Sequence, residues 1–440
     1  MNTLVGKIFE NRKNSERKVI IKDYQVSAND IEVVTIEFLD GCGKKAGTTE
    51  NKFLKSFKKS WKEIDNDNIE NKGGTLKMSV KVSTERIKKA VADSSKGAGN
   101  NNLIPITQMI GIKSTGSELV LCTTDKSNDL KVIIDKVAGD EFDVTIQLET
   151  FSKLISKVTS DSVELSVDND ILVVNANGEY KIPLVSDEEG LVSFPDFKLL
   201  PEDEEKEILL SSIMSVYNVN KAALAKTLEE PCLTGYYLDD MAVTTDSNVI
   251  TFNEVNVFGE PLLLSSQLMN LLTLNSNEKI KFRKKGSQLQ FVTDNIIINS
   301  SELQGRESFP IEEVKGYLDE AFTSMCKVPK SVLLSVIDRL SLFIEQYDKN
   351  GANFSFGKDG ITVSSRKSSS VEKIAYTEST DFEPFTCLVD IPLLKEQLQA
   401  NPSDIIELYY GHDAAIKMVS GKVTQVVALL EDEEMATSNE

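Results

Sequence analysis

The sequence has little of several residue types on which metalloenzymes and secreted proteins depend. It holds one histidine, His412, and five scattered cysteines with no CxxC pair, which argues against zinc sites, disulfide frameworks and multi-histidine metal sites. Glycine (23) and proline (11) are sparse among 440 residues, so a fibrous or disordered chain is excluded. There is no run of about 18 apolar residues, and the first residues lack the apolar stretch of a secretory signal. We therefore expect a cytoplasmic protein with no membrane partner, with His412 in a turn and the cysteines in the core.

Motifs that bind phosphate or activate a nucleophile are also missing. The stretch GAGNNN follows a predicted helix instead of opening one, and GKVT lacks the upstream spacing of a P-loop. We expect no enzymatic activity, no cofactor and no metal. Two alternatives stay open: a carboxylate-metal nuclease built on Asp239, Asp240 and Asp246, and a structural β-rich assembly protein such as a virion component.

Charge is unevenly spread. The formal net charge is −20, yet residues 1–72 hold 14 Lys and Arg against 12 Asp and Glu and are slightly basic. The whole acidic excess therefore lies after residue 72. Binding to nucleic-acid phosphates needs clustered Lys and Arg. A nucleic-acid function therefore requires basic residues gathered on one face of an acidic body.

A long-period repeat begins near residue 76 and predicts the fold. Each repeat opens with an amphipathic helix, continues with strands that alternate apolar and polar residues, and closes with a second helix and hairpins. The first helices are predicted at 83–96, 211–224 and 329–343, and the second at 148–158, 265–274 and 391–401. Polar or proline-bearing connectors are predicted near 195–206 and 309–320.

The pattern predicts an α+β fold of three domains, each with two helices and antiparallel sheets. We place them at 76–197, 206–317 and 325–430, followed by an acidic tail, 431–440. Residues 1–72 precede them as a small β-rich module, with strands in VIIKDYQV and DIEVVTIEFLDG. A short basic amphipathic helix is predicted in TENKFLKSFKKSWKEI, with Phe53, Leu54, Phe57 and Trp61 on one face.

Several segments stand in a fixed order along these domains: LIPITQMIGIK, FPDF (194–197), VTTDSNVITF, the residues around Gly305, Arg306, Phe309 and Pro310, and VTQVVALL. With these segments, the order of elements resembles the bacterial β sliding clamp of DNA polymerase III over residues 76–430. Asn248 and Val249 stand where the family has a His-Arg pair, and the chain runs ten residues past Leu430. The resemblance implies a ring-forming clamp that encircles double-stranded DNA without sequence specificity and confers processivity in DNA replication. It also implies a head-to-tail homodimer, and a DNA polymerase and a clamp loader as partners.

The resemblance implies that the helices line the hole of the ring, so their basic residues would face DNA. By helical spacing these are Arg86, Lys89, Lys96, Lys153, Lys157, Lys221, Lys226, Lys330, Arg339 and Lys395. The second predicted helix of the middle domain, SSQLMNLLTL, has no basic residue.

The resemblance also implies a groove for an apolar partner peptide between the middle and last domains. The matching positions are Thr245, Val249, Ile250, Pro310, Ile311, Val314, Val427, Leu429 and Leu430. Anchors in such grooves carry most of the affinity. The segment QLQF (288–291) is similar to a clamp-binding peptide, but we expect it to lie in a strand.

Overall fold

The computed structural model describes residues 8–11, 14–26, 32–38, 49–53, 61–64, 78–188, 190–202, 205–344, 351–366, 369–380 and 383–431. Contacts divide the chain into two units, Met1–Lys77 and Met78–Glu440. The longest helix in the described ranges has 12 residues. None of their helices is long and apolar enough to cross a membrane.

The first unit is a five-stranded antiparallel sheet in the order β4-β3-β2-β1-β5. Its strands are β1 Ile8–Asn11, β2 Asn14–Val26, β3 Glu32–Phe38, β4 Thr49–Phe53 and β5 Trp61–Ile64. Ile21 and Ile36 are fully buried and pair across β2 and β3. The β-rich prediction is confirmed.

The helix predicted for TENKFLKSFKKSWKEI is wrong at both ends of this segment. The first residues of the segment form β4 and the last residues form β5. Phe53 and Trp61 both belong to these strands. Their aromatic rings fit a strand as well as a helix, and sheet pairing decides between the two. Residues 54–60, which include Leu54 and Phe57, lie outside the described residues.

The second unit repeats one order of elements three times: a strand, a helix, further strands, a second helix and three more strands. The first repeat contains β6 Met78–Ser83, α1 Thr84–Ser95, β7 Met109–Thr115, β8 Leu119–Thr124, β9 Asp129–Ile134, β10 Ala138–Gly139, β11 Glu141–Gln147, α2 Leu148–Lys157, β12 Ser162–Asp168, β13 Ile171–Asn175 and β14 Glu179–Pro183. A short hairpin follows, made of β15 Ser186–Asp187 and β16 Gly190–Leu191.

The second and third repeats follow the same plan. The second contains β17 Lys206–Leu209, α3 Leu210–Asn220, β18 Gly235–Leu238, β19 Ala242–Thr245, β20 Val249–Asn253, β21 Leu262–Ser265, α4 Ser266–Leu272, β22 Lys279–Lys285, β23 Gln288–Val292 and β24 Ile296–Ser301. Helix α5, Ile311–Asp319, leads to the third, which contains β25 Ser324–Pro329, α6 Lys330–Leu340, β26 Gly351–Phe356, β27 Gly360–Ser365, β28 Val371–Ala375, β29 Glu378–Thr380, β30 Phe385–Asp390, α7 Ile391–Ala400, β31 Ile405–Tyr410, β32 Ala415–Ser420 and β33 Val423–Ala428.

Two long sheets run through successive repeats. The eight-stranded sheet has the order β11-β7-β8-β9-β24-β23-β22-β17, and the nine-stranded sheet has the order β21-β18-β19-β20-β33-β32-β31-β25-β29. The repeats join where β9 pairs with β24 and where β20 pairs with β33. Two smaller sheets have the orders β10-β6-β12-β13-β14 and β28-β27-β26-β30. Among the described strands, β14 and β28 each pair on one side only, and we call them the free edges.

The six repeat helices form where their apolar spacing predicted them. In α1 the residues Ile87, Ala90 and Val91 are buried, as the helical pattern requires. Side chains cap three of these helices: Ser83 accepts a hydrogen bond from the Arg86 amide, and Ser265 and Asp390 cap α4 and α7 in the same way.

The segment 309–320, expected as a polar or proline-bearing connector, contains the helix α5. Glu312 and Glu313 lie in its first turn, where negative charge favours a helix N-terminus. Val314 is buried on its inner face. These two features outweigh the polar composition of the segment.

Candidate functional site

The six repeat helices form one connected layer, called here the helix layer. Within each repeat the two helices pack together, and α3 also contacts α7 of the next repeat. Between the first two repeats, the Gln267 side chain on α4 donates a hydrogen bond of 2.7 Å to the carbonyl of Lys96 at the end of α1. The layer therefore runs in the order α2, α1, α4, α3, α7, α6.

Nine of the ten predicted DNA-facing residues lie on these helices or directly after them, and Lys226 lies six residues beyond the end of α3. Lys330 and Lys395 are half-buried. The others are exposed: Arg86, Lys89, Lys96, Lys153, Lys157, Lys221, Lys226 and Arg339. The acidic side chains around them limit how much positive charge the layer presents.

Five of the ten cations form ion pairs. The pairs are Arg86–Asp135, Lys153–Glu149, Lys226–Glu396, Arg339–Glu372 and Lys395–Asp338. Lys330 donates instead to the carbonyl of Asn401, at 2.8 Å.

Arg86 and Arg339 reach away from the layer, since Asp135 follows β9 and Glu372 belongs to the edge strand β28. Within the described ranges, four of the predicted cations have no acidic partner within ion-pair distance. These are Lys89, Lys96, Lys157 and Lys221. They are the strongest candidates for contacts with phosphate groups.

The predicted groove residues divide between two cavities and the core. Four of them, Thr245, Ile250, Pro310 and Val314, line a cavity of about 210 Å³, called here the peptide cavity. Sequence reasoning missed the other eight wall residues, among them Glu313, Tyr317, Ala414, Val426 and Ala428. Tyr317 projects from α5, whose existence the sequence analysis did not predict.

Val249 and Val427 are wrong as groove residues. They pair with each other across β20 and β33, while their neighbours Ile250 and Val426 pair one position along. Because side chains alternate between the faces of a strand, Val249 and Val427 point to the other face, where both are fully buried in the core of the third repeat. Ile311 lies outside the cavity wall and packs, partly buried, against the core cluster that contains Val314.

Leu429 and Leu430 line a second cavity, of about 200 Å³, together with Leu388, Phe385 and Asp413. The two cavities lie next to each other in the chain, because Ala428 belongs to the first and Leu429 to the second. We call the two together the double cavity.

Backbone hydrogen bonds fix the strand end between the two cavities. The amide of Ala428 donates to the carbonyl of Asn248 at 2.8 Å, and the amide of Leu429 donates to the carbonyl of Ala414 at 2.8 Å. Asp246 shapes the turn on the first side, since its carboxylate accepts from the amides of Asn248 and Val249, both at 2.9 Å. The chain's own hydrogen bonds therefore hold this rim in place.

A buried polar network lies behind the peptide cavity, on the side of the helix layer. The Gln397 side chain on α7 accepts a hydrogen bond from the Thr251 hydroxyl at 2.9 Å and donates to the Ala222 carbonyl at 2.9 Å. Gln425 on β33 donates to the Gln397 side chain at 3.1 Å and accepts from Asn401 at 2.8 Å. The network ties β20, α7, β33 and the turn after α3 into one junction.

Two of the three residues of the nuclease alternative, Asp240 and Asp246, have structural roles. Asp246 closes its turn, and Asp240 pairs with Lys315 at 3.2 Å. Among the described residues, there is no group of three or more His, Cys, Asp or Glu that could hold a metal ion.

His412 lies in the turn between β31 and β32, as predicted. Its Nδ1 accepts from the Ala414 amide at 3.1 Å, and its Nε2 contacts the Glu320 carboxylate. Burial raises the pKa of the Cys326 thiol to about 12, which suits a core cysteine. Cys122 and Cys387 behave likewise, Cys232 is also buried, and Cys42 lies outside the described residues.

Comparison with known proteins identifies the fold. Residues 78–190 match the family model of the N-terminal domain of the DNA polymerase III beta subunit. No curated protein sequence matches the chain.

Solved structures match over most of the chain. The DNA polymerase sliding clamp of Bacillus subtilis is 16% identical, with a TM-score of 0.72 over 81% of this chain and 100% of its own. The DNA polymerase III beta subunit of Thermotoga maritima is 16% identical, with a TM-score of 0.71 and the same coverage. The Streptococcus pyogenes beta subunit is 14% identical, with a TM-score of 0.72 and again the same coverage. The predicted resemblance and fold class are confirmed.

Proposed function

We propose that this chain, whose fold is that of the bacterial sliding clamps, works as one. It closes into a ring around duplex DNA and tethers the replicative DNA polymerase, which keeps synthesis processive. The observation that carries the proposal is the connected helix layer on one side of sheets that continue from repeat to repeat. A ring holds DNA by topology, so it needs no side chains that read bases. The proposed role is non-catalytic and uses no cofactor.

The ring would consist of two chains, because three repeats in each supply six domains. We keep the domain bounds at 76–197, 206–317 and 325–430. The free edges β14 and β28 would pair head to tail between the copies, since unpaired strand edges are ready templates for pairing. Tyr180 on β14 is 39% exposed and Val371 on β28 is 54% exposed, so each edge carries an apolar side chain that pairing would cover.

DNA would pass along the helix layer. Lys89, Lys96, Lys157 and Lys221 supply charge there without competing ion pairs. The paired cations, Lys153 among them, could exchange an exposed carboxylate for a phosphate at little cost, because exposed ion pairs contribute only about 0–1 kcal/mol. The acidic excess elsewhere in the chain would repel DNA from other surfaces.

The double cavity would receive an apolar peptide from the polymerase or from a clamp loader. Its walls combine apolar side chains such as Ile250 and Leu429 with a preformed backbone rim. Preformed concave sites with apolar walls are typical of peptide docking. Asp413 and the acidic residues after Leu430 favour peptides flanked by Lys or Arg.

The proposal can be tested with the full chain and without a loader. The protein is mixed with nicked circular DNA below its association range and then concentrated, so that rings assemble around the circles. We expect it to co-elute with the circular DNA and to be lost when the circle is linearised. Equal retention on circular and linear DNA would contradict the ring.

A further inference from the structure

A second charged site lies on the eight-stranded sheet, and its lining contains no residue of the helix layer. Residues 196–201, which follow the first repeat, cross this sheet and roof a cavity of about 540 Å³, called here the connector cavity. Its wall includes Lys126, Lys198, Lys285, Ser127, Ser301 and Leu289. The volume lies within the range of about 300–1,000 Å³ that small-molecule sites occupy.

Buried side chains of the sheet hold the roof in place. Gln290, which is fully buried, accepts a hydrogen bond from the Leu200 amide at 3.1 Å and donates to the Lys198 carbonyl at 3.1 Å. Arg283, only 4% exposed, donates to the Leu200 carbonyl at 3.2 Å and pairs with Glu202 and Glu205. The backbone that carries Lys198 is therefore fixed over the cavity.

The turns that carry the other two lysines are also ordered. Lys126 has a φ of +79°, a left-handed conformation that is uncommon for lysine. Its turn is held by Asp125, whose carboxylate accepts from the amides of Ser127 and Asn128 at 2.8 and 2.6 Å. Lys285 ends β22 at the tight turn that begins with Gly286, φ +60°.

The three lysines differ from their neighbours in having no carboxylate partner in the described part of the chain. Most other lysines of this sheet are paired: Lys113 with Asp143, Lys279 with Glu207, and Lys281 with Glu205. Two aspartates, Asp129 and Asp196, also belong to the wall, but neither forms an ion pair with a lysine there. The absence of such a partner is notable because the chain has 69 acidic residues.

A neighbouring cavity of about 480 Å³ on the same sheet provides an internal comparison. Its cations Lys206 and Lys284 both pair with Glu260, and Arg306 lies by Glu302. Of the two cavities, only the connector cavity gathers lysines that have no acid of their own.

We propose that the connector cavity binds the phosphate groups of a nucleotide or of single-stranded nucleic acid. Phosphate oxygens can accept from three lysine ammonium groups and from the nearby serine hydroxyls at once, and such charge-assisted hydrogen bonds are strong. Leu199, which is 60% exposed, supplies an apolar surface against which a base or ribose can pack. The inference does not depend on ring formation.

The test measures binding of two phosphate probes to the full chain by fluorescence anisotropy at about 0.15 M salt. One probe is a ribose-labelled adenosine triphosphate, and the other is a short labelled single-stranded oligonucleotide. The variant Lys126→Gln, Lys198→Gln, Lys285→Gln should lose at least about tenfold in affinity for the probe that binds. Triphosphate binding alone indicates a free nucleotide, and oligonucleotide binding alone indicates nucleic acid.

The matched control is Lys113→Gln, Lys279→Gln, Lys281→Gln, which removes the same charge from the same sheet. A second control, Lys206→Gln with Lys284→Gln, removes charge from the neighbouring cavity, where both lysines pair with Glu260. Both controls should bind within about twofold of the parent. The proposal is wrong if neither probe binds, if the cavity variant binds as the parent does, or if either control loses affinity equally.

Discussion

Gln397 is the residue on which the junction between the second and third repeats depends. It is fully buried and satisfies partners from three elements: Thr251, Gln425 and the Ala222 carbonyl. Buried polar groups left without partners cost about 1–3 kcal/mol each. The side chain therefore stabilises the reverse side of the peptide cavity.

We expect Gln397→Ala to lower the free energy of unfolding by about 2–4 kcal/mol, because it leaves several buried partners unsatisfied. Urea unfolding followed by circular dichroism measures the change. Gln399→Ala is the control, since Gln399 lies two residues further along the same helix and is exposed, and it should change stability by no more than about 0.5 kcal/mol. Similar results for the two variants would show that the network is not stabilising.

Ala428 lies in the chain between the residues of the two cavities. A substitution at Ala428 therefore tests whether the double cavity binds a peptide. Ala428→Glu would place a charge in an apolar site and should weaken peptide binding by at least about 2 kcal/mol. A labelled peptide that contains the sequence Gln-Leu-Gln-Phe serves as the probe. Lys422→Glu, at an exposed turn of the same hairpin, should bind as the parent does. Unchanged binding by Ala428→Glu would exclude the double cavity as the docking site.

The position of the groove along the chain could be predicted from the sequence, but its lining could not. Two neighbouring residues of a strand face opposite sides of the sheet. An error of one position in the sequence therefore assigns a core residue to the cavity wall and a wall residue to the core. Val426 and Ala428 line the cavity where Val427 was expected. Only the pairing of β20 with β33 resolves this choice.

Among the elements, the repeat helices could be predicted because their apolar spacing is a local property. α2 and α7 begin at Leu148 and Ile391, the predicted positions. The sequence analysis missed α5 because its nine residues include four charged residues and a glycine, although Glu312 and Glu313 mark its first turn. β4 and β5 were misassigned because pairing with distant strands outweighs the local pattern.

The unpaired lysines of the helix layer should matter for DNA although they add little to the fold. Lys89→Glu with Lys157→Glu should reduce the amount of protein assembled on nicked circular DNA. The free energy of unfolding should stay within about 0.5 kcal/mol of the parent. Lys113→Glu with Lys279→Glu reverses two charges on the sheet and should leave assembly on DNA nearly unchanged. Equal losses in the two variants would mean that net charge, not the helix layer, controls assembly.

At the scale of the whole molecule, the free edges β14 and β28 determine how copies would assemble. Tyr180→Asp with Val371→Asp places a charge on each edge and should convert the expected dimer into a monomer. Light scattering would then give about the mass of one chain, 48.7 kDa. Leu228→Asp, at an apolar residue that is 79% exposed elsewhere, should leave the dimer intact. A parent that is already monomeric at micromolar concentration would contradict the proposed assembly.

We propose that topology, not ion pairing, holds the protein on DNA. The direct measurement uses linear duplex DNA attached to a bead at one end, onto which rings thread before the free end is capped with a bulky protein. Ordinary ionic binding weakens steeply with salt, but a threaded ring cannot leave capped DNA. We predict that the protein survives a wash at about 1 M salt, where charges are screened within about 3 Å, and is released when the DNA is cut. Loss of the protein in the salt wash, with both ends still blocked, would contradict the account.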